Sequence, residues 1–252
     1  MDINIFILCY NESPLIAHTI NHYKKYLPSC KITIYDNEST DNSVFIAKLL
    51  GCEVISWSSN NILNENIQVQ IRNSCWKNIQ KGWILIVDMD EFICVTEAEL
   101  FYEMQKETDV LQIIGLEMIG ESQTLDLSDI NLQEIKKYID NHRESKNLCF
   151  LREKIVEMNY DPGSHNCYPI TVNTIVNTNV NKINGINYSS KVYMNKHMSN
   201  LGLNFLTNKM IKRYERTELM RTMGLAIHYT DDINNIKTNY NQLLNNCKLL
   251  IE

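Results

Sequence analysis

The chain has 252 residues, 44% hydrophobic and 21% charged, an ordinary globular composition with enough apolar mass for a core that needs no staples. A formal net charge of −6 argues against general nucleic-acid binding, and it means that any bound diphosphate must be met by a metal or by local basic side chains. The eight cysteines form no Cys-x-x-Cys pair, which excludes zinc-ribbon and thioredoxin readings; we read them as reduced thiols in a cytoplasmic setting.

The first ten residues carry a seven-residue apolar run, Ile3 to Cys9, without a basic n-region. That run reads as a buried strand, and no stretch approaches the 18 apolar residues of a membrane span. Asn11-Glu12-Ser13-Pro14 follows as a turn, with Ser13 as N-cap and Pro14 at the first helical position. Leu15, Ile16, Thr19, Ile20, Tyr23 and Leu27 then recur at helical spacing. Lys31 to Tyr35 reads as a second strand, Asp36 to Asp41 as a polar break, and Ser43 to Leu50 as a short helix with Gly51 at its exit. A third strand is predicted over Glu53 to Trp57 and a longer helix over Asn64 to Gln80, ended by Gly82.

Trp83-Ile84-Leu85-Ile86-Val87 then runs unbroken into Asp88-Met89-Asp90-Glu91-Phe92. The apolar part has the length and branching of a strand buried on both faces. Residues two apart on a strand share a face, which predicts Asp88 and Asp90 side by side at its exit. Two oxygen donors there suit Mg²⁺ or Mn²⁺. Up to this point the order is β-α-β-α-β-α-β, which calls for a doubly wound, mostly parallel sheet.

The order loosens afterwards. Thr96-Glu97-Ala98-Glu99 is a capping box that opens a helix to about Lys106. Val110 to Met118 reads as a strand and Asp129 to Ile139 as helical. Short strand-like runs alternate with turns from Lys146 to Met198. Asn204 to Tyr214 is an amphipathic helix, and Ile233 to Leu250 a closing one. Lys209, Lys212, Arg213, Arg216 and Arg221 form a basic run, either a solvated face or a cationic wall for a diphosphate or an acidic acceptor. We find no internal repeat and no linker, so one α/β domain with a regular first half and an irregular α+β second half is expected.

Four polar stretches fall where such a sheet converges: Asn11-Glu12, Asp36 to Asp41, Arg72-Asn73 and Asp88 to Glu91. Arg72 can meet a phosphate or hold a carboxylate. A glycosidase would place its two carboxylates on opposite sides of the scissile bond. A nucleotidyltransferase would want a Gly-rich phosphate loop after the first strand, which Asn11 to Pro14 is not. A haloacid-type phosphatase would want an Asp at that strand's exit, where Cys9-Tyr10 stands.

In order and spacing, Tyr10-Asn11-Glu12, Tyr35-Asp36-Asn37-x-Ser39-Thr40-Asp41, Arg72-Asn73 and Trp83 to Phe92 resemble glycosyltransferase family 2, in its Asp-x-Asp-Glu-Phe branch. The resemblance implies a Rossmann-like GT-A fold over residues 1–252. Residues 1–95 would bind a nucleotide sugar, a UDP-sugar first, and residues 96–252 would form the acceptor side. It implies that Asn11, Glu12, Asp36, Asn37, Arg72 and Asp88 hold the donor. Asp88 and Asp90 would hold Mn²⁺ or Mg²⁺, completed by a downstream histidine: His197 rather than His165 or His228. Transfer to a hydroxyl of a glycan, protein or lipid-linked acceptor would invert the anomeric carbon and need a general base. His165, Asp161 and Glu91 are the candidates, because the family's usual acidic pair is missing. The rival expectation is a non-catalytic relative that binds a nucleotide or glycan without turnover.

Overall fold

The computed structural model describes residues 1–172, 185–224 and 226–251. Strands β1 (Ile3–Cys9), β2 (Lys31–Asp36), β3 (Glu53–Ser56) and β4 (Trp83–Asp88) alternate with helices α1 (Ile16–Tyr26), α2 (Ser43–Leu49) and α3 (Glu65–Ser74). The strands lie in the order β3-β2-β1-β4, all parallel. Strand order reverses at β1, so the loops after β1 and β4 open into one crevice, where doubly wound sheets bind their ligands.

Both faces of β1 and β4 are buried, which is why their sequence runs are mostly apolar without alternation. Ile3, Ile5, Ile7, Trp83, Leu85 and Val87 join the core that holds Ile16, Ile20 and Tyr23 of α1. Phe6, Ile84 and Ile86 meet Trp76 and Phe150 in a second core.

Beyond β4 the described residues form, besides short 3-10 turns, β5 (Glu91–Cys94), α4 (Glu97–Gln105), β6 (Val110–Ile119), β7 (Lys137–Asp140), β8 (Cys149–Leu151), β9 (Ile155–Glu157), β10 (Ile170–Thr171), β11 (Tyr188–Asn200), α5 (Leu203–Arg216), α6 (Glu218–Thr222), α7 (Ile233–Asn246) and β12 (Lys248–Leu249). The sheet continues beyond β4 as β8-β6-β7-β12, and β8 runs antiparallel to both β4 and β6. Strand β11 pairs with β6 in parallel and with β5 in antiparallel fashion. The predicted capping box opens α4, with Thr96 and Glu99 bonding reciprocally.

The structure departs from expectation in several places. Ser13 does not cap α1: its N–H is taken by Asp41 (3.0 Å), and a tight turn through Asn11 (φ +52°) delays the helix to Ile16. Helix α3 stops at Ser74, short of the expected Gln80, and Trp76 folds back to donate its indole N–H to the Arg72 carbonyl at 3.1 Å. Residues 129–139 do not form the expected helix; only Leu132–Glu134 makes a short 3-10 turn. Lys137–Asp140 is a strand between β6 and β12, because ladder pairing outweighs a helical apolar spacing. The closing helix ends at Asn246, and Lys248–Leu249 adds the edge strand. Part of the expected run of short strands, residues 173–184, lies outside the described residues.

Candidate active site

A cleft of about 610 Å³ opens at the strand-order reversal. Its floor is the turn between β4 and β5. Helix α1 clamps that turn from below: the hydroxyls of Thr19 and Tyr23 donate to the carbonyls of Met89 and Glu91, each at 2.6 Å. From the other side Met198 N–H donates to the Asp90 carbonyl at 2.6 Å. Strand β4 ends at Asp88, so the alternation expected for Asp88 and Asp90 does not extend to Asp90, which belongs to the turn. Both still line the cleft, with different partners. Arg72 donates to Asp88 at 2.6 Å, so it holds a carboxylate in place rather than waiting for a phosphate.

Asp90 is buried, and Lys209 and His197 converge on its Oδ2; His197 Nε2 lies 3.3 Å away. The other ring nitrogen of His197 bonds Glu117 at 2.8 Å, and Asn141 and Asn200 donate to the same Glu117 carboxylate at 3.0 and 2.6 Å. The register places His197 opposite Glu91 on β5 and Glu117 on β6. Burial alone would push the Asp90 carboxyl up, but Lys209 and then His197 hold it well below the carboxylate range. Burial likewise opposes charge on His197, yet Asp90 and Glu117 hold its pKa well above the imidazole range.

Helix α5 forms the wall opposite. Lys209, Lys212, Arg213 and Arg216 recur at helical spacing on one face, and all four line the cleft. The basic run is therefore a cleft wall and not a solvated face. Arg221 is apart from it, turned back onto the Tyr214 carbonyl and the Thr217 hydroxyl. Arg216 donates to Asn37 Oδ1 at 2.6 Å and stacks 3.4 Å over the Tyr10 ring. Arg213 donates to the Tyr229 hydroxyl at 3.2 Å, and His228 lines the same end.

The loops after β1 and β2 interlock. Asn11 Oδ1 accepts from the N–H groups of Thr40 (2.7 Å) and Asp41 (3.3 Å), so Asn11 fastens one loop to the other while lining the cleft. Burial pushes the Glu12 carboxyl up to about 7, against the pull of Lys209. Asp36 is buried; one oxygen accepts from Ser39 N–H at 3.1 Å, and Oδ1 has no partner. Asn37 lines the cleft, exchanging hydrogen bonds with Ser59.

The three candidate bases do not come together. His165 borders both the cleft and a second cavity of about 550 Å³ beside it, and its Nδ1 bonds the Arg143 carbonyl at 2.9 Å. A carbonyl can only accept, so this nitrogen carries a proton. Asp161 borders only the second cavity. Glu91 faces inward, 1% exposed: Asp88 N–H donates to one oxygen at 2.7 Å and Lys146 to the other at 2.8 Å. Glu91 is not among the residues that line the cleft.

The model of Glycosyl transferase family 2 matches residues 4–151, more than half of the chain. The chain belongs to this family. An uncharacterized glycosyltransferase of Rickettsia typhi is 25% identical over 91% of the chain and 66% of its own length. One of Rickettsia prowazekii is 36% identical over 43% of the chain and 32% of its own length. The chain therefore spans between about a third and two thirds of these relatives. Among solved structures, Staphylococcus aureus TarS superposes with a TM-score of 0.45 at 15% identity, covering 97% of the chain and 42% of TarS. The observed sheet is the GT-A arrangement that the family implies. No helix among the described residues is long and apolar enough to cross a membrane.

Does this family 2 site suit a divalent cation? Among the described residues no three His, Cys, Asp or Glu side chains form a ready cage. Mg²⁺ and Mn²⁺ sites that serve phosphates commonly use one or two carboxylates and leave the rest to phosphate and water. Asp90 fits that sparse donor set; His197 would join it only on giving up its Nε2 proton, with Glu117 then orienting the ring through the other nitrogen. Sequence reasoning missed Glu117 and Lys146. Glu117 carried a signal, since a carboxylate inside the apolar run Val110 to Met118 must find a partner when buried. Lys146 stood alone before an apolar run and carried none.

Proposed function

We propose that the chain is a metal-dependent glycosyltransferase that moves a sugar from a nucleoside-diphosphate sugar, UDP-linked first, to a hydroxyl acceptor with inversion. The observation that carries the reading is the Glu117–His197–Asp90 relay facing the cationic stripe of α5 across one cleft. Asn11, Glu12, Asp36, Asn37 and the Arg216–Tyr10 stack are assigned to the nucleoside, at the carboxyl ends of β1 and β2. Lys212 and Arg213 are assigned to the diphosphate. Asp90 and His197, with Asp88 steadied by Arg72 beside them, would hold Mn²⁺ or Mg²⁺, which when bound supplies Lewis-acid relief of the charge on the leaving nucleotide.

His165 is the base we favour, because in the neutral ring the proton on Nδ1 leaves Nε2 to take that of an acceptor hydroxyl. Asp161, on the rim of the adjoining cavity, would act on the acceptor. Residues 1–95 would then serve the donor, with α5 reaching over from the acceptor half. The acceptor's class, glycan, protein or lipid-linked, is left to experiment.

The test is a thermal-shift screen of nucleotide sugars with and without Mn²⁺, followed by assay of free nucleotide. A donor that binds only the folded chain raises Tm by mass action. We expect a UDP-sugar to do so only with Mn²⁺, and slow metal-dependent release of UDP. No shift with any nucleotide sugar would remove the proposal, and a shift without turnover would favour the non-catalytic rival.

A further inference from the structure

Lys209 does something the metal reading leaves unexplained. Its ammonium contacts Asp90 Oδ2, the same oxygen that faces His197 Nε2, and it also donates to the Ser199 hydroxyl at 3.0 Å. The Lys209 side chain is 12% exposed and that of Asp90 7%. A cation held by Asp90 and His197 would need the space and the oxygen that the ammonium takes. An ammonium and a divalent ion do not share one buried carboxylate oxygen without strong repulsion. Yet with Lys209 simply removed, the buried Asp90 would lose the closer of its two counter-charges.

Both requirements are met if the cations exchange. We propose that Lys209 is the protein's own cation at Asp90, and that a divalent metal together with a diphosphate displaces it onto the phosphates. This rests on the metal-dependent reading above. The chain is built for such a swing. Lysine carries a compact charge on a flexible four-carbon stem, so it can change partners without moving its helix. Lys209 also shares the cleft-facing stripe of α5 with Lys212 and Arg213, so a diphosphate beside Asp90 would find the released ammonium within its own cationic wall. Metal alone offers no new partner to the displaced lysine, whereas metal with diphosphate does. Binding of the two is therefore coupled.

The exchange gives one substitution two effects of opposite sign. In Lys209→Met, Mn²⁺ alone, followed by electron paramagnetic resonance of the free ion, should bind about tenfold more tightly than in wild type, because a competitor is gone. UDP titrated calorimetrically in saturating Mn²⁺ should bind about tenfold more weakly, because a phosphate ligand is gone. Lys212→Met, from the same stripe but without a bond to Asp90, should weaken UDP and leave Mn²⁺ affinity at the wild-type value. Lys209→Gln serves as the second variant if the methionine form melts early.

Equal Mn²⁺ affinity in wild type and Lys209→Met, or a loss in both arms, would overturn the exchange while metal dependence stands. If neither protein binds Mn²⁺ and EDTA leaves UDP binding unchanged, both the exchange and the metal reading fall. If UDP binds neither protein, the choice of nucleotide fails and the Mn²⁺ arm decides the exchange.

Discussion

Replacing Lys146 with methionine tests whether a buried ion network holds the cleft floor. Lys146 and Glu91 have 3% and 1% side-chain exposure, and Lys146 also pairs with Glu144 at 2.7 Å. Lys146→Met keeps the volume and removes the charge, leaving two buried carboxylates without their cation. Breaking a buried pair in this way costs about 3–5 kcal/mol. For a chain of this size that lowers Tm by about 10 °C. The carboxylate of Glu91 accepts the Asp88 N–H, so the β4–β5 turn should loosen as well. The double variant Glu91→Gln with Lys146→Met removes the more deeply buried orphaned charge and should recover about half of the loss, a non-additivity that a mutant cycle reads directly. Urea unfolding of wild type, Glu91→Gln, Lys146→Met and the double variant gives the four free energies. A cost below about 1 kcal/mol for Lys146→Met, or simple additivity in the double variant, would show that the network holds nothing.

His22 gives a pH dependence far from the cleft. It is buried, its Nε2–H donates to the Ile93 carbonyl at 3.0 Å and its Nδ1 meets the Gln133 amide at 2.9 Å, and burial lowers its pKa to about 4. The unfolded chain then binds this proton first, so stability is full above pH ~6.5 and falls toward pH 4, by up to about 3 kcal/mol; His22→Gln should flatten that slope in urea titrations at pH 7 and pH 5. Asp90→Ala should cut turnover by on the order of 10²-fold or more, and near-wild-type transfer in the same metal would refute its role. Glu117→Gln should weaken Mn²⁺ about 10- to 100-fold by releasing the His197 ring, an effect that calorimetry reads without any turnover. Gly163 has φ +72°, and a Cβ there would come within 2.7 Å of the His165 ring. Gly163→Ala should therefore lower sugar transfer more than donor hydrolysis, and equal losses in both would speak against His165 as base.

The first half of the fold was legible because its signals are local. Strands buried on both faces need long apolar runs, and Ile3 to Cys9, interrupted only by Asn4, and Trp83 to Val87 have them. The polar loops between them had to fall at one edge. What lay beyond reach were pairings between distant segments. Lys137–Asp140 looks helical by spacing and becomes a strand only because β6 and β12 flank it. Asp90 was placed by strand alternation, yet the strand ends two residues earlier and Asp90 is aimed by a turn. Glu91 looked like one more cleft carboxylate; only the seat of Lys146, 55 positions away, turns it inward.

The same contrast divides the cleft in two. Its floor is tied to the main core through α1, and it carries the carboxylates on backbone fixed by Thr19, Tyr23 and Met198. Its cationic wall rests on less: of the two buried residues of α5, Phe205 reaches the main core, whereas Leu206 belongs to a small separate cluster with Ile119, Ile236 and Tyr240. Few buried contacts mean a lower cost of local displacement. Transfer asks for both properties, since the donor's phosphates must enter between wall and floor and leave again with the spent nucleotide. A fixed anionic floor keeps the reacting geometry, and a lightly anchored cationic wall can follow the phosphates. Hydrogen exchange should accordingly open α5 well before β4. If α5 is protected as strongly as the central strands, the wall is rigid, and release of the nucleotide must rely on side-chain motion alone.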